Sequence, residues 1–223
     1  MKIVIINPNS SKEMTQSIAR VAEKFVNGRY QVEALATEGA PEFIDYPEDT
    51  IAAAPGMIQI VKEYEHTSDA FIVACHCDPN VQVLRQITDK PVIGIGEASM
   101  RLAAMLGARF SVIATDQHSV THKLDLIHEY GLDHYCASVR VKGNASNEEE
   151  AYVEASKKAL EKDLAEVIVL GCAGLCELSD NLTRRLNVPV LDGIVCGLMI
   201  AEGMVNAGYK TSKIRLYAAE LQQ

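Results

Sequence analysis

Short runs of Val and Ile alternate along the chain with longer stretches whose apolar residues recur at helical spacing. The runs at Lys2–Asn7, Gln31–Ala36, Asp69–Cys75, Val92–Ile95, Arg109–Thr115, Tyr135–Val141, Glu166–Gly171, Val188–Leu191 and Lys213–Tyr217 predict strands. Several are continuous rather than alternating, such as Phe71-Ile72-Val73 and Val167-Ile168-Val169-Leu170. A continuous run suits a strand covered on both faces, as in a parallel sheet between helices. Helices are predicted between the runs. One is capped by Ser10 or Ser11 and runs to Asn27, with Gly28 just past its end. Others span Thr50–His66, Pro79–Ile87, Ala98–Leu106 and Gln117–Tyr130, and one capped by Asn147 runs to Asp163. Cys176–Leu186 and Gly193–Asn206 complete the set. Strand–helix alternation of this kind predicts a doubly wound α/β fold.

The two halves resemble each other. Asp69-Ala70-Phe71-Ile72-Val73-Ala74-Cys75 matches Glu166-Val167-Ile168-Val169-Leu170-Gly171-Cys172, 97 residues later. Each half continues through a short helix to Pro-Val, at Pro91-Val92 and Pro189-Val190. Two similar doubly wound lobes follow, each on a four-stranded parallel sheet, related by a pseudo-two-fold axis with the active site in the cleft between them. Residues 1–97 plus 208–223 are expected to form the first lobe and residues 98–207 the second.

Composition narrows the partners. With 21 Lys and Arg against 30 Asp and Glu, the net charge of −9 argues against a nucleic-acid binder. No segment approaches the roughly 20 apolar residues of a membrane span, and the N-terminus turns polar too soon for a signal peptide. The expectation is a cytoplasmic protein with its six cysteines kept as thiols.

Those cysteines carry the candidate chemistry. Cys75 and Cys172 both stand where a strand ends, and ligands of open α/β sheets sit beyond the carboxyl ends of strands. Each is followed by a loop leading to a helix N-terminus, a setting that favours thiolate. Facing lobes would set the two sulfurs on opposite sides of one substrate carbon. One would take a proton as thiolate and the other return a proton to the far face, with no cofactor. A zinc site built from Cys75, His76, Cys77, Asp78, Cys172 and Cys176 is disfavoured, because Cys-x-Cys is a poor bite for the metal.

At this point the chain resembles the aspartate/glutamate/hydantoin racemase superfamily, and within it the hydantoin and allantoin racemases. The similar segments are Asn7-Pro8-Asn9-Ser10, the stretch from Gly39 to Asp45, Ala74-Cys75-His76-Cys77-Asp78-Pro79, the stretch from Pro91 to Ala98, the stretch from Phe110 to Thr115, and Leu170-Gly171-Cys172-Ala173-Gly174. The resemblance implies a cofactor-independent isomerase acting on a small hydantoin-type or amino-acid-derived substrate, in a homo-oligomer. Cys75 and Cys172 would be its catalytic pair. Asn9, Ser10, Phe43 and Thr115 would meet the substrate, as would the backbone N–H groups at His76, Cys77, Ala173 and Gly174. The chain departs from the family at Cys77, which more often is a small non-thiol residue, at His76, where an aromatic is common, and at Phe43, which can narrow or cover the pocket. Alternatives are an aspartate/glutamate-type racemase and a non-catalytic two-lobe binder; the first needs cationic groups, and these loops carry no Arg or Lys.

The remaining residues are assigned structural roles. Cys136, Cys176 and Cys196 are read as packing residues. His118, His122 and His128 share one helix and are read as surface or packing residues, with His118 near enough to the Thr115 loop to reach the cleft. Asp78 is expected to cap the helix that begins at Pro79.

Overall fold

The computed structural model describes residues 1–218. It has two four-stranded parallel sheets of matching strand order. The first comprises β1 (Lys2–Asn7), β2 (Gln31–Ala36), β3 (Ala70–Val73) and β4 (Val92–Gly94), in the order β2-β1-β3-β4. The second comprises β5 (Phe110–Ala114), β6 (Cys136–Val141), β7 (Val167–Leu170) and β8 (Val190–Leu191), in the order β6-β5-β7-β8. The equivalent central strands in the two sheets are β1 and β5, β3 and β7. The Val/Ile runs fall on these central strands, buried on both faces as their lack of alternation predicts.

Eight helices cover the sheets: α1 (Lys12–Val26), α2 (Pro47–Tyr64), α3 (Val81–Ile87), α4 (Ile95–Leu106), α5 (His118–Glu129), α6 (Glu148–Lys162), α7 (Ser179–Leu186) and α8 (Gly193–Asn206). Their ends follow local capping. The Ser11 hydroxyl accepts from Met14 N–H to start α1, and the Asn147 side chain accepts from Glu150 N–H to start α6. Helix α2 starts earlier than Thr50 because Pro47 fills its first position and Asp49 accepts from the Tyr46 N–H. Helix α3 starts later than Pro79 because Asp78 and Asn80 adopt left-handed backbone, φ 47° and 60°.

Two helices change sheets. Helix α4 follows the first sheet, yet its Met100 and Ala103 pack on Phe110, Val112, Val167 and Val169 of the second. Helix α8 follows the second sheet, yet its Ile194, Leu198 and Ala201 pack with Ile3, Ile5 and Ile72 of the first. The start of α4, at Ile95 and Ala98, belongs to that same cluster, so the two crossing helices also meet each other.

The Asp78 carboxylate holds the head of α4. It accepts from the backbone N–H groups of Gly96 (2.8 Å) and Glu97 (2.6 Å) and from the Tyr130 hydroxyl (2.8 Å). The expected cap on α3 is therefore not made; the left-handed turn at Asp78 sends its side chain to the next helix instead. Gly94 makes room, since a Cβ there would overlap the carboxyl group.

One expected strand is absent. Lys213–Tyr217 has the alternation of a strand, but its backbone pairs with no sheet. Lys213 Nζ donates to the Arg85 and Gln86 carbonyls, both 2.7 Å away, and Arg215–Tyr217 forms a 3-10 turn. The segment is pinned across α3, with Ile214 and Leu216 exposed. Residues 219–223, assigned from sequence to the first lobe, lie outside the described residues. Among those described, no helix is long and apolar enough to cross a membrane.

Asp192 caps α8 by accepting from the Val195 N–H (2.9 Å), and burial raises its carboxyl to about 6. The folded state then holds a proton that the unfolded chain releases near pH 4. The stability this proton contributes is complete below that pH and lost as pH rises through about 6. Asp192→Asn removes the dependence. Urea unfolding at pH 4 and pH 7 should show the variant gaining up to about 3 kcal/mol relative to wild type over that interval. A pH-independent difference would refute the assignment.

Candidate active site

The site lies at the carboxyl ends of the central strands. Two residues past the end of β3 stands Cys75, and two past the end of β7 stands Cys172. The residue before each cysteine is tied alike to the neighbouring central strand: Ala74 N–H donates to the Ile6 carbonyl (2.8 Å) and Gly171 N–H to the Ile113 carbonyl (2.9 Å). The chain then turns. Asp78 N–H closes on the Cys75 carbonyl (3.0 Å), and Leu175 N–H on the Cys172 carbonyl (3.2 Å). Equivalent backbone therefore delivers both thiols to one cavity of about 90 Å³, which both of them line.

The other walls come from both lobes. Asn9 is buried, and its Oδ1 accepts from Asn7 Nδ2 (2.7 Å) and Ser11 N–H (3.0 Å). Thr115 lines the cavity and donates to Asp116 (2.7 Å). Phe43, Ile44 and Asp45 reach the cavity from the loop before α2. At that mouth the Tyr46 ring stacks on His118, with centroids 5.4 Å apart, so the first lobe touches α5 of the second. His118 also pairs with Asp116 (2.9 Å). Phe43 is half exposed beside this contact.

The expected substrate-facing residues do not all converge. Asn9, Phe43, His76, Cys77, Thr115 and Ala173 line the cavity, whereas Ser10 and Gly174 do not. Ser10 is held outside by its N–H, which donates to the Pro41 carbonyl (3.0 Å). Gly174 sits beside Cys172, and its N–H lowers that thiol. The His76 imidazole is buried with Nε2 3.3 Å from the Ser99 hydroxyl and Nδ1 unpartnered. Burial, then the nearby Lys123 charge, keep it neutral.

Two residues of α5 were read otherwise or missed. His122, assigned a surface or packing role, lines the cavity beside Cys77, whose sulfur raises the imidazole. Lys123 also lines it, supplying the cation that the loops lack. A signal was present in the pattern: Lys123, Leu126 and Ile127 share the buried stripe of α5, where a lysine is out of place.

The three thiols are perturbed differently. Cys75 is raised by its interaction with the Cys77 sulfur and by burial. Cys77 is lowered by its interaction with Cys75, and further by His122 and the Lys123 charge. Cys172 is raised by burial and drawn back by the Gly174 N–H and Lys123. The side chains considered for zinc are dispersed: His76 turns to Ser99, Asp78 caps α4, and Cys176 is buried against α1 and α8. Among the described residues, no group of three or more His, Cys, Asp or Glu is placed to hold a metal. A larger groove, about 820 Å³, lies between α1, α4 and α8; it contains Cys176 and Cys196 but neither Cys75 nor Cys172.

Comparison with known proteins agrees with this geometry. The family model described as Asp/Glu/Hydantoin racemase matches residues 3–201. A hydantoin racemase of Pseudomonas sp. strain NS671 is 39% identical, over 97% of this chain and 91% of its own. The structure of an allantoin racemase from Klebsiella pneumoniae superimposes with a TM-score of 0.94 at 31% identity, covering 100% of this chain and 95% of its own. An allantoin racemase from Pseudomonas fluorescens gives a TM-score of 0.92 at 32% identity, covering 100% and 99%. The chain belongs to the Asp/Glu/hydantoin racemase family.

Proposed function

We propose that this racemase inverts the α-carbon of a cyclic ureide, a hydantoin or allantoin, using Cys75 and Cys172 as its two acid/base groups and no cofactor. The observation that carries this reading is the arrival of the two thiols, on equivalent backbone, in one cavity between the lobes. The relatives act on hydantoin or allantoin by name. Ring chemistry favours the same class. In a hydantoin the α-carbon lies between a carbonyl and an amide nitrogen, so its C–H is more acidic than in a free amino acid, and a thiolate has less to overcome.

In one direction the Cys172 thiolate takes the α-proton, and the C–H electron pair passes into the ring as an enolate. The Cys75 thiol then gives its proton to the opposite face of the carbon, becoming thiolate. The reverse direction exchanges the roles. The N–H groups at His76, Cys77 and Ala173 border the space where the ring would sit and are suited to its carbonyl oxygens. Phe43, at the mouth, would cover the bound ring.

The test is deuterium uptake in D2O, followed by NMR and polarimetry, with both enantiomers of 5-alkylhydantoins, allantoin, aspartate and glutamate. Inversion and exchange are expected for the cyclic ureides. Turnover confined to aspartate or glutamate would overturn the substrate class, and no exchange with any compound would overturn the racemase reading.

The paired variants separate the thiols. Cys75→Ser and Cys172→Ser should each lower racemisation by about 10²–10⁴-fold, the usual contribution of a general acid or base. Each should retain exchange of one enantiomer only, and the two should retain opposite enantiomers. Loss of the same enantiomer in both would exclude attack from opposite faces. Cys196→Ala, in the core, should leave turnover intact and cost about 1 kcal/mol of stability.

A further inference from the structure

Charged side chains are rarely buried without a partner. Asp78 and Asp192 are buried, and both accept hydrogen bonds from helix N-termini. Lys123 is buried equally, at 2% exposure. Among the described residues its ammonium has neither an ion pair nor a hydrogen bond. Its stem crosses the backbone immediately before Cys172, with Cε 2.8 Å from where a Cβ on Gly171 would stand. Gly171 is thus the residue that lets Lys123 enter the cavity.

The groups around that cation are Cys77, Cys172, His76 and His122. The two carboxylates on the cavity wall are engaged elsewhere. Asp116 is taken by Thr115, Ser119 and His118, and Asp45 faces His118 at 4.0 Å. The Lys123 cation therefore adjoins the cavity on the side of Cys77 and Cys172, with no carboxylate paired to it among the described residues. Negative charge develops in that space when a C–H next to a carbonyl is broken: the electron pair moves onto the carbonyl oxygen while the proton goes to sulfur.

We propose that Lys123 is a catalytic residue: its ammonium binds the substrate carbonyl oxygen and holds the enolate oxygen formed from it. This deepens the racemase reading above and rests on it. It also states what the site selects, namely a substrate with an oxygen acceptor on the Lys123 side of the α-carbon.

A cation here has a second effect, because it favours thiolate at Cys77 and Cys172. The experiment must separate the two effects. Full pH–rate profiles are measured for wild type, Lys123→Met, Lys123→Ala, Lys123→Arg and Lys123→Gln with a 5-alkylhydantoin, with circular dichroism melts to establish folding. If Lys123 holds the oxyanion, Lys123→Met loses about 100-fold in kcat at its own pH optimum, the scale of losing one oxyanion donor. Lys123→Arg stays at least tenfold above it, and ethylammonium added to Lys123→Ala restores turnover in a saturable way. If Met at this position does not fold, Arg against Gln gives the same comparison, with Gln the slower. A loss that disappears at higher pH would overturn the proposal, since the lysine would then act only by tuning thiols. Neutral variants within threefold of wild type would overturn it too. A wild-type chain inactive on every hydantoin and on allantoin would instead overturn the racemase reading beneath it.

Discussion

The proposed two-face chemistry at one carbon would need a fixed gap between two thiols that belong to different lobes, and α4 and α8 join those lobes rigidly. Each helix leaves one sheet and buries its apolar face on the other, so neither lobe can complete its core alone. Rotation of one sheet against the other would expose Met100 and Ala103 on one side and Leu198 and Ala201 on the other, at the usual ~25 cal/mol per Å² of apolar surface. The Asp78 carboxylate extends this constraint to the chemistry. It belongs to the loop that carries Cys75 and Cys77, and it grips the first N–H groups of α4 and the Tyr130 hydroxyl just past α5. The loop that positions a thiol is thereby fastened to the helix that spans the lobes.

The electrostatics of the cavity follow from burial. A desolvated thiol ionises reluctantly; burial raises Cys172, and the Cys77 interaction followed by burial raises Cys75. At Cys172 compensation comes from the Gly174 N–H and the Lys123 ammonium across Gly171, whereas the Cys77 sulfur raises Cys75 further and is itself lowered by His122 and Lys123. A small enclosed cavity strengthens each of these interactions relative to water. The same enclosure makes the Tyr46–His118 stack at the mouth consequential, because that contact joins the lobes on the solvent side.

Much of this was legible in the chain. The uninterrupted Val/Ile runs marked central strands because burial on both faces leaves no polar register. The repeat of an acidic residue, an apolar strand and a cysteine located both thiols. What stayed hidden depended on contacts distant in sequence. The reach of Asp78 to Gly96 and Glu97 cannot be distinguished by local pattern from a cap on the nearer helix. The exchange of α4 and α8 is invisible to periodicity, which shows that a helix has an apolar face but not which sheet receives it. Lys213–Tyr217 alternates like a strand, yet hydrogen bonds from Lys213 to the Arg85 and Gln86 carbonyls hold it over α3. Lys123 was the most informative residue passed over, since a lysine on a buried helical stripe signals either an ion pair or a site.

The backbone is nearly symmetric about the cleft, but the side chains are not. Cys75 has Cys77 two residues on, whereas the equivalent position after Cys172 is Gly174. Lys123 crosses the strand end before Cys172, and no lysine of the first lobe lines the cavity among the described residues. Such asymmetry sets different binding and turnover for the two enantiomers of a substrate. Thermodynamics limits what it can achieve. Enantiomers have equal free energy in water, so the two directions share one rate-limiting transition state reached from equally stable free reactants. The ratio kcat/KM must then be the same for both enantiomers, whatever the difference between the thiols. Any advantage that Cys77, His122 and Lys123 give one direction in turnover must be matched by weaker binding of that enantiomer. If the two cysteines act as proposed, their unequal surroundings would lower the shared barrier and set which protonation state accumulates between turnovers.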